Sequence, residues 1–172
     1  EESQALEEVI LSVARSESNA NQVAEKVSVI KAQDLYLTAP SSGAEILELS
    51  PGIRIQKSQG GGGSPVIRGF EANRVLIVVD GVRMNNAIYR SGHLQNSITI
   101  DPNNIERVEI IYGSSSVGYG SDALGGVVHY YTKTPIIKDS AKIKSSFSSN
   151  FNTANSSLSN SFSTNYSKDT WG

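Results

Sequence analysis

A chain of 172 residues has room for one domain with a buried core, or for one domain with an appendage. Its net charge of -2 supplies no basic field, which argues against nucleic acid as a partner, and the absence of cysteine excludes disulfides and thiolate metal sites. No apolar run approaches the length of a membrane-spanning helix, and a start at Glu1 without a basic and apolar leader is what removal of a secretion signal would leave.

Residues 1–21 are polar apart from Val9, Ile10, Leu11 and Val13, a short β-prone island in a charged segment that otherwise reads as a solvated tail. Residues 27–30 have the make-up of a short strand, and 30–37 carry the aliphatic residues of a brief turn or helix. Ser41 or Ser42 is placed to cap a helix reaching Leu49, because Glu45 lies three residues after Ser42 as in a capping box. Ile46, Leu47 and Leu49 give that helix an apolar side, Pro51 and Gly52 end it, and Ile53 and Ile55 begin an alternating strand.

QGGGGS at 59–64 predicts a solvent-exposed loop. A phosphate-cradling loop is the tempting alternative, but Ser64 and Pro65 stand where Lys and Ser or Thr would be needed. Residues 65–70 return as a strand with Arg68 as its one charge, and Val75–Val79 is a continuous apolar run, as in a central strand covered on both faces. Asp80-Gly81 is a strong hairpin signal. Residues 87–96 form a polar loop whose Tyr89, Arg90 and His93 are candidates for substrate contact, since loops carry function more often than scaffolds; a solvated loop without a ligand is the alternative. Tyr89 and His93 are haem-iron ligand types, but no spacing supports a site, so no metal is assigned.

The segment 105–135, IERVEIIYGSSSVGYGSDALGGVVHYYTKTP, organises the rest. A strand stops at Gly113, a small-residue stretch with Gly118 and Gly120 follows, and after Gly125 and Gly126 a second strand begins. Glu106, Arg107 and Glu109 interrupt the apolar first strand, where burial requires that they be paired. His129 alternates with Val127 and Tyr131, which predicts a packed or hydrogen-bonded structural histidine. IERVEIIYG, SSVGYGSDALGGVVHYYTK and the closing TP, with SPVIRGF at 64–70 and RVLIVVDGVRMN at 74–85, resemble the plug domain of TonB-dependent outer-membrane receptors over roughly residues 27–134. One departure is Ser114, where many members carry proline.

The resemblance implies an α+β plug with a small mixed β-sheet and short helices, followed by the first antiparallel strands of an incomplete transmembrane β-barrel. It implies a gating plug for uptake of a scarce ligand, haem or an iron chelate first, with vitamin B12, oligosaccharide or peptide open. Haem or a ferric chelate enters as cargo, and no resident cofactor is assigned. LEEVILSVARSE at 6–17 resembles the TonB box, so Glu8, Val9, Ile10 and Leu11 are the expected contact with TonB, adding as a strand to its sheet edge. Arg68, Glu106, Arg107 and Glu109 are expected to pair with charges on the barrel wall. Further partners would be outer-membrane lipids, the small-molecule cargo and a surface lipoprotein. The place is a Gram-negative outer membrane, with the plug inside the barrel and the N-terminus periplasmic.

After Pro135 the composition turns to Ser, Asn, Thr and Lys. Ile143, Phe147 and Phe151 share one parity and Leu158, Phe162 and Tyr166 another, with residues 153–157 between, the dyad of a transmembrane hairpin with Tyr166 and Trp171 at the interface; a low-complexity tail is the alternative. The organisation is therefore a periplasmic segment at 1–21, a plug at 22–135 and a first barrel hairpin at 136–172. About 22 strands close such a barrel, and two cannot, so the chain is expected to be the N-terminal part of a longer receptor. The rival class is a non-transporting β-rich interaction module, in which 136–172 would be dispensable. No Gly-x-Ser-x-Gly elbow, HExxH helix or Cys/His cluster is present, and no catalytic residue is assigned.

Overall fold

Runs of branched apolar residues pair edge to edge in the computed structural model, which describes residues 9–10, 18–19, 26–58, 62–70, 74–84, 97, 99–113, 119–120, 123–134, 142–153 and 156–168. The chain divides into two units, Glu1–Thr132 and Lys133–Gly172. In the first, β1 (Val9–Ile10) pairs antiparallel with β2 (Ser18–Asn19). Next come β3 (Val27–Lys31), α1 (Ala32–Thr38), α2 (Gly43–Leu47), β4 (Ile53–Ser58), β5 (Gly62–Ile67), β6 (Val75–Val79) and β7 (Val82–Arg83). A 3-10 turn at Pro102–Asn104 leads into β8 (Ile105–Tyr112), and β9 (Gly126–Thr132) completes the unit.

Five of these strands form one mixed sheet in the order β3-β8-β9-β6-β7. β6 and β9 run parallel, while the other neighbours are antiparallel. Alternate residues of a strand face opposite sides, so the registers define two faces. On one, Ile30, Val108, Ile110, Val128, Tyr130, Val75 and Ile77 pack with Leu35 of α1, Ile46 and Leu47 of α2, Ile53 and Ile67 as the main core. On the other, Leu76, Val78, Ile111 and Val127 pack with Tyr119 and Ala123 in a smaller cluster. The expectation of a central strand at Val75–Val79 holds: the run is buried and lies between β9 and β7.

The brief helix expected over 30–37 is α1: Lys31 N donates to Asp34 Oδ2 at its start, and Ala39, at φ 44, ends it by donating its N–H to Leu35 O. Other local expectations are corrected. α2 stops at Leu47, two residues short of Leu49. Its box is divided between neighbours: Ser42 Oγ accepts from Glu45 N, but the Glu45 carboxylate reaches Ser41 N and Ser41 Oγ, at 2.8 and 2.7 Å, instead of Ser42 N. The glycine-rich loop is shorter than read, because Gly62 and Gly63 already pair with Ser58 and Lys57 in the β4–β5 hairpin. The strand after it ends at Ile67, since Arg68 and Gly69 lie at φ 50 and 84 in a turn closed by two bonds between Ile67 and Phe70.

In the second unit, β10 (Lys142–Asn152) and β11 (Ser157–Ser167) form an antiparallel hairpin. Its register places Ile143 opposite Tyr166, Phe147 opposite Phe162, and Phe151 opposite Leu158, so the two parities fall on one face. All six side chains are exposed, and Ile143 to Phe151 spans about 26 Å at ~3.3 Å per residue, close to the height of a bilayer's apolar band. Polar residues on that face lie between the apolar rungs, and Ser145 Oγ is 3.1 Å from Thr164 Oγ1, so these hydroxyls satisfy one another. The opposite face is Lys, Ser and Asn throughout. For a strand pair of this kind set in lipid, Phe147→Arg is expected to cost about 2–4 kcal/mol, while Ser148→Lys on the other face should be nearly neutral. Urea titration in lipid vesicles measures both.

Candidate functional site

The charged residues of β8 are organised by strand parity. Arg107 and Glu109 share a face, opposite Tyr131 and His129 of β9 respectively. Arg107 Nε donates to Glu109 Oε1 at 2.8 Å, the Glu109 side chain is 0% exposed, and the Arg107 guanidinium lies 4.0 Å from the centroid of the Tyr131 ring. That ring stacks on His129, again at 4.0 Å between centroids. Burial, then the Glu109 and Tyr119 charges, push the Tyr131 phenol well above its ordinary range against the opposing pull of Arg107. Glu106, one residue out of phase, is exposed. Glu109 is thus engaged inside the first unit, and among the four charges expected to meet a barrel wall, Arg68, Glu106 and Arg107 retain exposed surface.

A second cluster closes the β6–β7 turn. Asp80 N donates to Tyr130 O at 3.0 Å, and the Asp80 carboxylate accepts from Thr132 N at 2.9 Å and Thr132 Oγ1 at 2.7 Å. Gly81 N donates to His129 Nε2 at 3.1 Å. The expected structural role of His129 therefore has a named partner. Burial lowers its pKa to about 4; Arg107 adds to the depression, and the Glu109 and Asp80 carboxylates oppose it. Sequence reasoning found the turn but missed its clamp, because the partners lie about 50 residues away along the chain.

Arg68 sits at the tip of its tight turn, with its guanidinium carbon 5.4 Å from the Tyr112 ring centroid and Lys26 Nζ at 5.5 Å. Tyr112 is fixed by its hydroxyl, 2.6 Å from Ser50 Oγ and donating to Pro51 O at 2.9 Å. The same region explains the paired glycines. A Cβ at Gly125 would lie 2.4 Å from Phe70 Cβ, and one at Gly126, which is at φ 148, would lie 2.4 Å from Ile111 O. Gly126→Ala combines a left-handed backbone with a clash against main chain that cannot yield, so it should cost about 3 kcal/mol. Hydrogen exchange of β8 and β9 in the full-length protein reads that loss.

Val9 and Ile10 of the expected TonB contact form β1, whose backbone pairs with Asn19 and Ser18. Glu8 and Leu11 lie outside the described residues, as do Tyr89, Arg90 and His93. Among the described residues no cluster of His, Cys, Asp or Glu could hold a metal ion.

Residues 19–127 match the TonB-dependent Receptor Plug Domain family. The chain is 38% identical over 134 residues to the vitamin B12 transporter BtuB of Vibrio vulnificus (strain CMCP6), covering 77% of this chain and 22% of that protein. It is 34% identical over 125 residues to a hemin receptor of Yersinia enterocolitica, covering 72% and 18%. Among solved structures, the ferripyoverdine receptor of the outer membrane of Pseudomonas aeruginosa shares the fold at a TM-score of 0.65, with 17% identity, covering 84% of this chain and 18% of that one. The chain thus spans about a fifth of the length of these relatives. By a match over more than half its length, it belongs to the TonB-dependent receptor plug domain family, whose plugs lie inside a barrel in the outer membrane.

Proposed function

We propose that the full-length protein is a TonB-dependent transporter that carries a scarce ligand, haem or an iron chelate first, across the outer membrane, with this chain supplying the gating plug. The observation that carries the reading is the succession along one chain of a plug domain and a strand pair whose one face carries exposed apolar rungs over membrane height. A β-rich interaction module has no use for that face, which would be an aggregation hazard in water.

Glu8 to Leu11 would add as a strand to TonB, and Val9 and Ile10 are already extended, paired with β2 along one edge. Ligand binding outside would alter the plug and free the box for TonB to pull. Arg68, Glu106 and Arg107 would hold the plug through charge pairs with the barrel wall that water can replace, with Glu109 acting through Arg107. Tyr89, Arg90 and His93 would contact the cargo. A surface lipoprotein would deliver cargo from outside.

A corrinoid cargo is the second reading, favoured by the 38% identity to a vitamin B12 transporter. Cells carrying the full-length receptor, offered labelled haemin, a labelled ferric chelate and labelled cyanocobalamin in turn, should accumulate one of the first two. Accumulation of cyanocobalamin alone would favour the second reading, and accumulation of none would count against transport.

A further inference from the structure

We infer that His129 is an acid-labile latch: as a neutral acceptor it pins the Asp80–Gly81 turn to β9, and its protonation releases that turn and the edge strand β7. The argument begins with the direction of one hydrogen bond. Gly81 N–H donates to Nε2 at 3.1 Å, so Nε2 carries a lone pair and the ring proton of the neutral imidazole is on Nδ1. Nδ1 is buried without a hydrogen-bond partner. The ring is therefore kept neutral at the expense of one buried donor, and a second proton could go only to Nε2, where it would face the Gly81 N–H donor to donor.

The groups around the ring decide whether that proton stays off at neutral pH. β8 presents Glu109 and its partner Arg107, β9 presents Tyr131 stacked on the imidazole, and the β6–β7 turn presents Asp80. β3 contributes the apolar Val29 beside Glu109, with Lys31 level with Arg107. The two carboxylates favour the imidazolium, but burial outweighs them and holds the pKa at about 4. An ordinary histidine titrates near 6.5, so the folded plug binds fewer protons than the unfolded chain between these values. The latch is complete above pH 6.5 and is lost progressively as the pH falls towards 4.

What the latch restrains is local. Asp80 and Gly81 both lie at positive φ, 45 and 83, so the turn holds a conformation that a non-glycine residue rarely adopts. Its clamp reaches Thr132, the last residue of the plug unit. β7 is a two-residue edge strand, and the Arg83 side chain donates to Tyr119 O over the smaller apolar cluster. Freeing the turn would thus loosen β7 and the Tyr119 contact, while β3, β8, β9 and β6 keep their pairing.

Hydrogen exchange of residues 78–84 in the full-length receptor, corrected for intrinsic rates, tests this between pH 7 and 4. Protection in the wild type should fall at least tenfold across that range, while His129→Gln, which can accept from Gly81 N–H without titrating, should show no such pH dependence. Unchanged protection in the wild type, or an equal fall in H129Q, would overturn the proposal. Should H129Q not fold, the imidazole 15N shifts of His129 in the wild-type protein decide: titration well below 6.5 from the Nδ1–H tautomer supports the latch, and titration near 6.5 or the other tautomer overturns it.

Discussion

Replacing Ile10 by proline in the full-length receptor is expected to abolish energised uptake while leaving ligand affinity at the cell surface unchanged. Ile10 lies in β1, within the segment expected to add as a strand to TonB. Strand addition draws its affinity from main-chain hydrogen bonds, and proline has no N–H to give while fixing φ near -65°. Loss of one ladder bond with the accompanying strain amounts to about 1.4 kcal/mol or more, or roughly tenfold in binding to TonB, and force transmission through a weakened ladder falls further. Ile10→Val keeps the backbone and the β-branched shape, so it should transport at close to the wild-type rate. Binding and uptake measured on the same cells separate the two steps. A proline variant that transports normally would place the TonB contact elsewhere.

The second large effect concerns Arg107. Replacing it by alanine removes an ion-pair partner of a Glu109 side chain that has no exposure, which should destabilise the plug by about 2–3 kcal/mol. Arg107→Lys should recover only part, because a point charge on a flexible stem loses the planar stack on Tyr131. Removing both charges in Arg107→Ala/Glu109→Ala should cost much less than the sum of the single changes, since the buried carboxylate goes with its partner. Protease susceptibility of the plug in urea, measured on the full-length receptor, orders the three variants. Charge reversal at Arg107 that leaves uptake and plug retention unchanged would contradict both the buried pair and the proposed barrel contact.

Much of this molecule was legible where the signal is local. The Asp80-Gly81 turn, the buried run before it and the parities of Ile143, Phe147, Phe151, Leu158, Phe162 and Tyr166 depend on residues near one another in sequence, and the structure reproduces them. The failures were of two kinds. Arg68 was read as a strand residue because nothing in its type announces a left-handed turn; the neighbouring Gly69 was the available signal. The cap at Ser42 holds, with Glu45 N donating to its Oγ, but the return bond of the expected box differs because the Glu45 carboxylate finds Ser41 N and Oγ within its reach.

Other features depend on strand order, which side-chain patterns do not encode. Glu109 could be recognised as needing a partner, and its spacing of two from Arg107 put both on one face, yet complete burial follows only once β3 and β9 flank β8. The Gly81 contact with His129 exists because β6 lies parallel to β9, a pairing formed between segments far apart in the chain. Gly125 and Gly126 were recognisable as tight points, but the atoms that exclude a Cβ belong to Phe70 and Ile111.

The most direct test of the transport account is accumulation of labelled haemin and of a labelled ferric chelate by cells carrying the full-length receptor, with and without functional TonB. The account predicts that one of these cargoes accumulates only when TonB is functional, with surface binding the same in both strains. Equal accumulation in the two strains, or cargo bound at the surface and never taken up in either, would contradict a TonB-driven gate built on this plug.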